Sequence, residues 1–202
     1  MRYLVLLAPV FFIANNAFAN SEKENANLIQ RALKSTVIIE SILKTGEAGF
    51  GSGFFIDEEG SVLTNHHVVT DSKELSVRLI GGKSSYIGSV SSISEKHDLA
   101  VIKTSINNPS LQLADDSKVK VGDEVYAIGN PYGLQGTVSK GIVSAIREYG
   151  KFDKIFQITA PISRGSSGGP VINSRGEVIA VAVAGIVEGQ NLNFAIPISY
   201  ID

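Results

Sequence analysis

From Ser35 onward the chain is written in short strand-favouring runs divided by Gly, Asn, Asp and Ser, and this rhythm limits the fold more than any other feature. Candidate strands are Thr36–Leu43, Gly51–Ile56, Ser61–Thr64, Leu75–Ile80, Tyr86–Ser94 and Leu99–Lys103, then Glu124–Ile128, Gly136–Val138, Gly141–Arg147, Ile155–Ile158, Pro170–Asn173, Val178–Val183 and Leu192–Ile196. Glu58-Glu59-Gly60, Gly129-Asn130-Pro131 and Asn173–Gly176 are turn signals. No long amphipathic helix pattern alternates with the strands, which disfavours a parallel sheet of βαβ units. Six of these candidates precede residue 104 and seven follow residue 122. The reading that follows is all-β: two six-stranded antiparallel β-barrels, an N-terminal one over 35–110 and a C-terminal one over 111–202. The helical signal lies at 20–34, where Leu28, Ile29, Ala32 and Leu33 suit one face of a short helix. With 202 residues, 44% of them hydrophobic, and no cysteine, the core must hold the fold without disulfides.

The N-terminus carries a different signal. Arg2 is followed by an apolar run from Tyr3 to Ile13, then Asn15-Asn16, then Ala17-Phe18-Ala19. That order fits a secretory signal peptide over 1–19, cut after Ala19; an uncleaved N-terminal anchor is the alternative. The run is short against the ~20 apolar residues of a membrane span. The expectation is an exported protein, periplasmic or secreted, with no stable membrane anchor after cleavage. A net charge of -2 and the lack of a basic stripe give no footprint for nucleic acid.

The three histidines are His66, His67 and His97. They sit in T-N-H-H-V-V (64–69) and K-H-D-L-A-V-I (96–102), and a third segment reads R-G-S-S-G-G-P-V (164–171). A serine hydroxyl is inert near its free pKa; it needs a base within hydrogen-bond reach, an acid that orients the base, and donors for the developing oxyanion. Glycines on both sides of a serine let bare backbone turn sharply against a substrate carbonyl. The pattern G-x-S-G-G singles out Ser167, and by chance it should occur in well under roughly 1% of chains of this size. A histidine or an aspartate alone is more often structural. In the order His, Asp98, Ser167 they follow the triad order of chymotrypsin-type enzymes. G-S-S-G-G also satisfies the nucleophile elbow of α/β-hydrolases, but that order places the histidine after the serine, and no histidine follows His97. A metal site is disfavoured by the lack of Cys and of H-E-x-x-H spacing, so no metal or cofactor is expected.

Taken together, G-S-G-F-F-I (51–56), V-L-T-N-H-H-V-V (62–69), D-L-A-V-I-K (98–103), A-I-G-N-P-Y-G-L (127–134), T-V-S-K-G-I-V-S-A-I (137–146), R-G-S-S-G-G-P-V-I-N (164–173), G-E-V-I-A-V (176–181) and N-F-A-I-P-I (193–198) resemble the HtrA/Deg family of trypsin-like serine endopeptidases, in that family's order. The resemblance implies a chymotrypsin/trypsin-like fold with the site in the cleft between barrels. It implies His67 as the base, with His66 its neighbour, Asp98 as the orienting acid and Ser167 as the nucleophile. It also implies an oxyanion hole from the N–H groups of Gly165 and Ser167, polypeptide substrates including unfolded proteins, and a role in protein quality control. For the specificity pocket it points to Pro161, Val183, Ala184 and Asn193. Pro161 stands where relatives choosing basic residues carry Asp, which implies small or medium apolar residues before the cleaved bond.

The sequence departs from the family pattern in places. Ser166 precedes the nucleophile where Asn or Asp is usual. No peptide-binding PDZ domain is expected after Asp202, residues 20–34 lack the aromatics with which the family's trimers assemble, and no I-V-G-G-like activation site is present. Oligomeric state and regulation stay open. The alternative function is a catalytically weak peptide-binding or adaptor protein on the same fold.

Overall fold

The computed structural model describes residues 23–183 and 192–201. The signal-peptide reading and Ala184 fall outside them. A helix, α1, covers residues 23–35. It buries Ala32 and rests Ile29 and Leu33 on the core, the amphipathic face the spacing predicts.

The strands are β1 (Thr36–Leu43), β2 (Ala48–Phe55), β3 (Ser61–Thr64), β4 (Ser72–Leu79), β5 (Ser85–Ile87), β6 (Ser89–Ser94) and β7 (Leu99–Lys103) in the first unit. In the second unit they are β8 (Glu124–Gly129), β9 (Thr137–Tyr149), β10 (Phe152–Ile158), β11 (Pro170–Asn173), β12 (Val178–Val183) and β13 (Asn193–Pro197). Every pairing between these strands is antiparallel. The second unit is a closed six-stranded barrel, ordered β10-β13-β12-β11-β8-β9. The strands expected at Gly136–Val138 and Gly141–Arg147 are one long strand, β9. It pairs with β8 through Ile142 and with β10 from Val143, and so turns the barrel's corner.

The first unit differs from the expected six-stranded barrel. It is a seven-stranded sheet, ordered β5-β4-β1-β2-β3-β7-β6. The run Tyr86–Ser94, expected as one strand, divides at Gly88, so its halves pair with β4 and β7 at opposite edges of the sheet. A Cβ at Gly88 would lie 2.7 Å from Ile102 Cγ2, so the bare backbone there presses on the core. One residue thus joins the two edges, and the sheet must curl to bring them together.

Three apolar clusters hold the molecule. One, with Val37, Ile39, Phe55 and Ile102, fills the first unit; a second, with Val143, Phe156, Ile158 and Val171, fills the barrel. The third joins Phe54, Leu63 and Leu99 of the first unit to Ile128, Ile172, Val181 and Phe194 of the second, with Ala32 of α1. The junction is therefore core rather than a loose domain contact. This sets the position of everything the two units carry toward each other.

Candidate active site

His67 lies on a single helical turn, α2 (His66–Val69), that the strand reading did not foresee. The turn follows β3 directly and is anchored by Asp98, which precedes β7. The Asp98 carbonyl accepts from the His66 N–H at 3.0 Å and from the Asn65 side-chain amide at 3.1 Å. Its carboxylate accepts from the His67 N–H at 2.9 Å and meets His67 Nδ1 at 2.7 Å. Asp98 adopts φ 53°, a left-handed conformation that costs energy outside glycine but is tolerated by Asp. Such strain is kept where the surroundings impose it, often at functional sites. Because a carboxylate only accepts, Nδ1 carries a proton, and in the neutral ring this leaves the lone pair on Nε2. The His67 side chain is 47% exposed, while Asp98 is 15% exposed.

The other two histidines face elsewhere. The His66 ring turns to the Thr70 hydroxyl, 3.3 Å away. His97 stacks on Tyr200 with ring centroids 4.2 Å apart. Among the described residues no group of three or more His, Cys, Asp or Glu is placed to hold a metal ion.

The segment Gly165–Gly169 comes from the barrel and is fitted into the first unit by its backbone. The Ser52 N–H donates to the Ser167 carbonyl at 2.8 Å. A Cβ on Gly168 would lie 2.1 Å from the Ser52 carbonyl and 2.2 Å from Thr64 Oγ1, and 3.2 Å from the N of Asn65, the residue that starts the His67 turn. The structure therefore brings the serine segment to the start of α2. Ser167 and Ser166 are both buried; Ser166 packs on Gly129. On the barrel side Gly168 N–H donates to the Ala182 carbonyl at 2.9 Å, so Gly168 is gripped from both units. It also has φ 86°. Gly168→Ala should cost well beyond the ~1–2 kcal/mol of left-handed strain, because the new methyl meets backbone. Gly46→Ala, at φ 90° with open space around it, should cost only the strain. Thermal unfolding of the two variants measures the difference; equal losses would contradict the close fit at Gly168.

Gly165 has φ 94°, and a Cβ there would sit 2.6 Å from the Asn130 carbonyl. The preceding carbonyl, of Arg164, accepts from the Tyr132 N–H at 2.9 Å. Across a planar trans peptide the Gly165 N–H points the opposite way. Among the described residues it makes no hydrogen bond. Beside it is a cavity of about 370 Å³ lined by Phe50, Tyr132, Gly133, Arg164 and Gly165. A larger cavity, about 630 Å³, lies on the strands of the first unit around Ile42, Leu75 and Ile87, and holds neither the histidine nor the serine. Size alone would therefore have pointed away from His67 and Ser167.

Of the residues expected to shape specificity, Pro161 is exposed and its carbonyl accepts from Ser139 Oγ at 2.7 Å. Val183 is buried in the cluster at the junction of the units. The Asn193 amide oxygen accepts from the Ile162 N–H at 3.2 Å, which ties β13 to the stretch following Pro161. Ser52, Thr64, Asn130 and the Tyr132 N–H, which build the walls of the site, were not singled out from sequence. The signals were there as motifs, Ser52 inside G-S-G-F-F and Asn130 inside G-N-P, but nothing local tells which backbone groups they reach.

Residues 51–181 match the family model for the trypsin-like peptidase domain, and the chain belongs to that family. Its relatives place it more narrowly, beside the HtrA/DegP serine proteases. It is 43% identical over 157 residues to a Rhizobium meliloti protein named "Probable periplasmic serine endoprotease DegP-like", covering 74% of this chain and 31% of that one. A Chlamydia muridarum protein of the same name is 41% identical over 156 residues, covering 73% and 31%. Among solved structures, the HtrA-type protease AlgW with a tripeptide superposes with a TM-score of 0.80 at 30% identity, covering 87% of this chain and 60% of that one. The chain spans about a third of the length of the curated relatives it matches.

Proposed function

We propose that this chain is an exported serine endopeptidase that cleaves peptide bonds of proteins through an acyl-enzyme. The observation that carries the reading is the His67–Asp98 pair, doubly bonded and oriented, together with the close fit of Gly168, the residue after Ser167, beside Asn65 at the start of the turn that carries His67. In this reading Ser167 Oγ attacks the substrate carbonyl carbon and its proton passes to His67 Nε2. His67 then protonates the leaving amine as the C–N bond breaks, and water, activated by the same nitrogen, releases the acyl group. Asp98 holds the Nδ1–H tautomer. The N–H groups of Gly165 and Ser167 take the oxyanion. The names of the relatives support a periplasmic setting and polypeptide substrates. Protein quality control is the role proposed, with substrates that include unfolded chains.

A fluorophosphonate probe tests the reading. Labelling at Ser167 together with casein digestion is expected; folded protein that stays unlabelled and leaves casein intact would favour a peptide-binding protein instead. The pocket residues Pro161, Val183, Ala184 and Asn193 are proposed to select small or medium apolar side chains before the cleaved bond. Profiling on a peptide library should show that preference, and strict cleavage after Arg or Lys would refute it.

A further inference from the structure

Ser52 belongs to β2 of the first unit, yet its hydroxyl is bonded entirely to the barrel side. It is fully buried, with 0% of its surface exposed. Its Oγ donates to the Gly165 carbonyl at 2.7 Å. It accepts from the Asn130 backbone N–H at 3.0 Å and from Asn130 Nδ2 at 3.1 Å. The orientation of the Asn130 amide follows from its other partners: Nδ2 donates to the Val37 carbonyl at 3.1 Å, and Oδ1 accepts from the Gly136 N–H at 3.0 Å. A hydroxyl has one donor and two acceptor positions. Both acceptor positions of Ser52 face N–H groups that cannot accept, so its proton has a single destination, the Gly165 carbonyl.

We infer that Ser52 is a positioning residue for the oxyanion donor at Gly165, an inference that rests on the protease reading above. Gly165 is the residue of this segment with the most backbone freedom. Its N–H direction is set by the Arg164 carbonyl, held by Tyr132, and its own carbonyl is held by Ser52. With both neighbouring peptide planes pinned, the glycine keeps the φ 94° conformation in which its N–H is unused. The Ser52 N–H, bonded to the Ser167 carbonyl, pins the next peptide but one. One residue of the unit that carries His67 and Asp98 thus sets both the donor and the serine segment of the other unit. Asn130 orients the hydroxyl and shares the role.

The experiment compares Ser52→Ala with wild type on a peptide substrate, a peptidyl boronic acid and the matching product peptide, with thermal unfolding alongside. The boronic acid forms a tetrahedral anionic adduct on Ser167 and needs the oxyanion donors; the product peptide does not. Expected is a fall in kcat of about 10²-fold, the scale of losing one oxyanion donor, with KM within about twofold. Boronate affinity should fall in proportion to kcat and product affinity should hold. If the buried Asn130 donors left unpaired by alanine prevent folding, Ser52→Cys fills the same space with a weak donor and should lower kcat by about tenfold at unchanged KM. A folded variant with kcat within about threefold of wild type, or one that loses boronate and product affinity equally, overturns the inference. Wild-type protein without turnover or probe labelling would instead refute the protease reading, and this inference with it.

Discussion

Ser167→Ala is expected to reduce turnover by about 10⁶-fold, leaving only the ~10³–10⁴ over the uncatalysed reaction that binding and oxyanion donors supply. The loss is chemical rather than structural. Backbone bonds hold the segment in place: the Ser167 carbonyl accepts from the Ser52 N–H, and the following Gly168 bonds to Ala182. Alanine preserves those bonds, so the variant should fold. Ser166→Ala is the control. That serine packs against Gly129, so its variant should stay within a few-fold of wild type. Measuring kcat and fluorophosphonate labelling of both variants separates the two serines. Retained turnover in Ser167→Ala, or its loss in a folded Ser166→Ala, would show that the nucleophile has been assigned wrongly.

Asp98→Asn should lower kcat by about 10⁴-fold at neutral pH. The Asp98 carboxylate makes two contacts with His67, to the ring and to the backbone N–H. An asparagine amide can turn its NH₂ toward Nδ1, which places the ring proton on Nε2, where it blocks acceptance of the serine proton. The fold should survive, because the bonds from His66 N–H and the Asn65 amide go to the main-chain carbonyl of residue 98. Asparagine also tolerates the left-handed conformation that Asp98 holds at φ 53°, which makes it a cleaner replacement than alanine. Kinetics with an unfolding control decide the matter. A loss below about a hundredfold would mean that Asp98 does not orient the base.

Much of the architecture was legible because strand rhythm and turn residues are local. Residues 136–147 show the limit: read as two strands, they belong to one strand that changes partner between Ile142 and Val143. Residues 86–94 show the reverse, a single run split at Gly88 between opposite edges of one sheet. A bend in a strand is a response to the core beneath it, so it leaves little trace in hydrophobic period. The turn that carries His67 was missed for a related reason. A single helical turn is too short for periodicity, and Asn65 does not use its side chain as a cap but reaches across to the Asp98 carbonyl.

The chain by itself determined the residue types of the site, because nucleophile chemistry demands a serine, a base and an acid, and glycine beside the serine is needed for a close backbone approach. It also determined the all-β class, through apolar runs too short for anything else. The resemblance already pointed to His67 rather than His66, and the tertiary structure supplied the physical difference between these adjacent residues, with the His67 ring on Asp98 and the His66 ring on Thr70. Only the tertiary structure revealed that the glycines after Ser167 are forced by close packing, Gly168 on the Ser52 carbonyl of the other unit and Gly169 on the Ile128 carbonyl of its own barrel. The same holds for Ser52, whose hydroxyl acts on a residue 113 positions away. Hydrogen bonds of that range depend on how two cores pack together, and no local pattern encodes their direction.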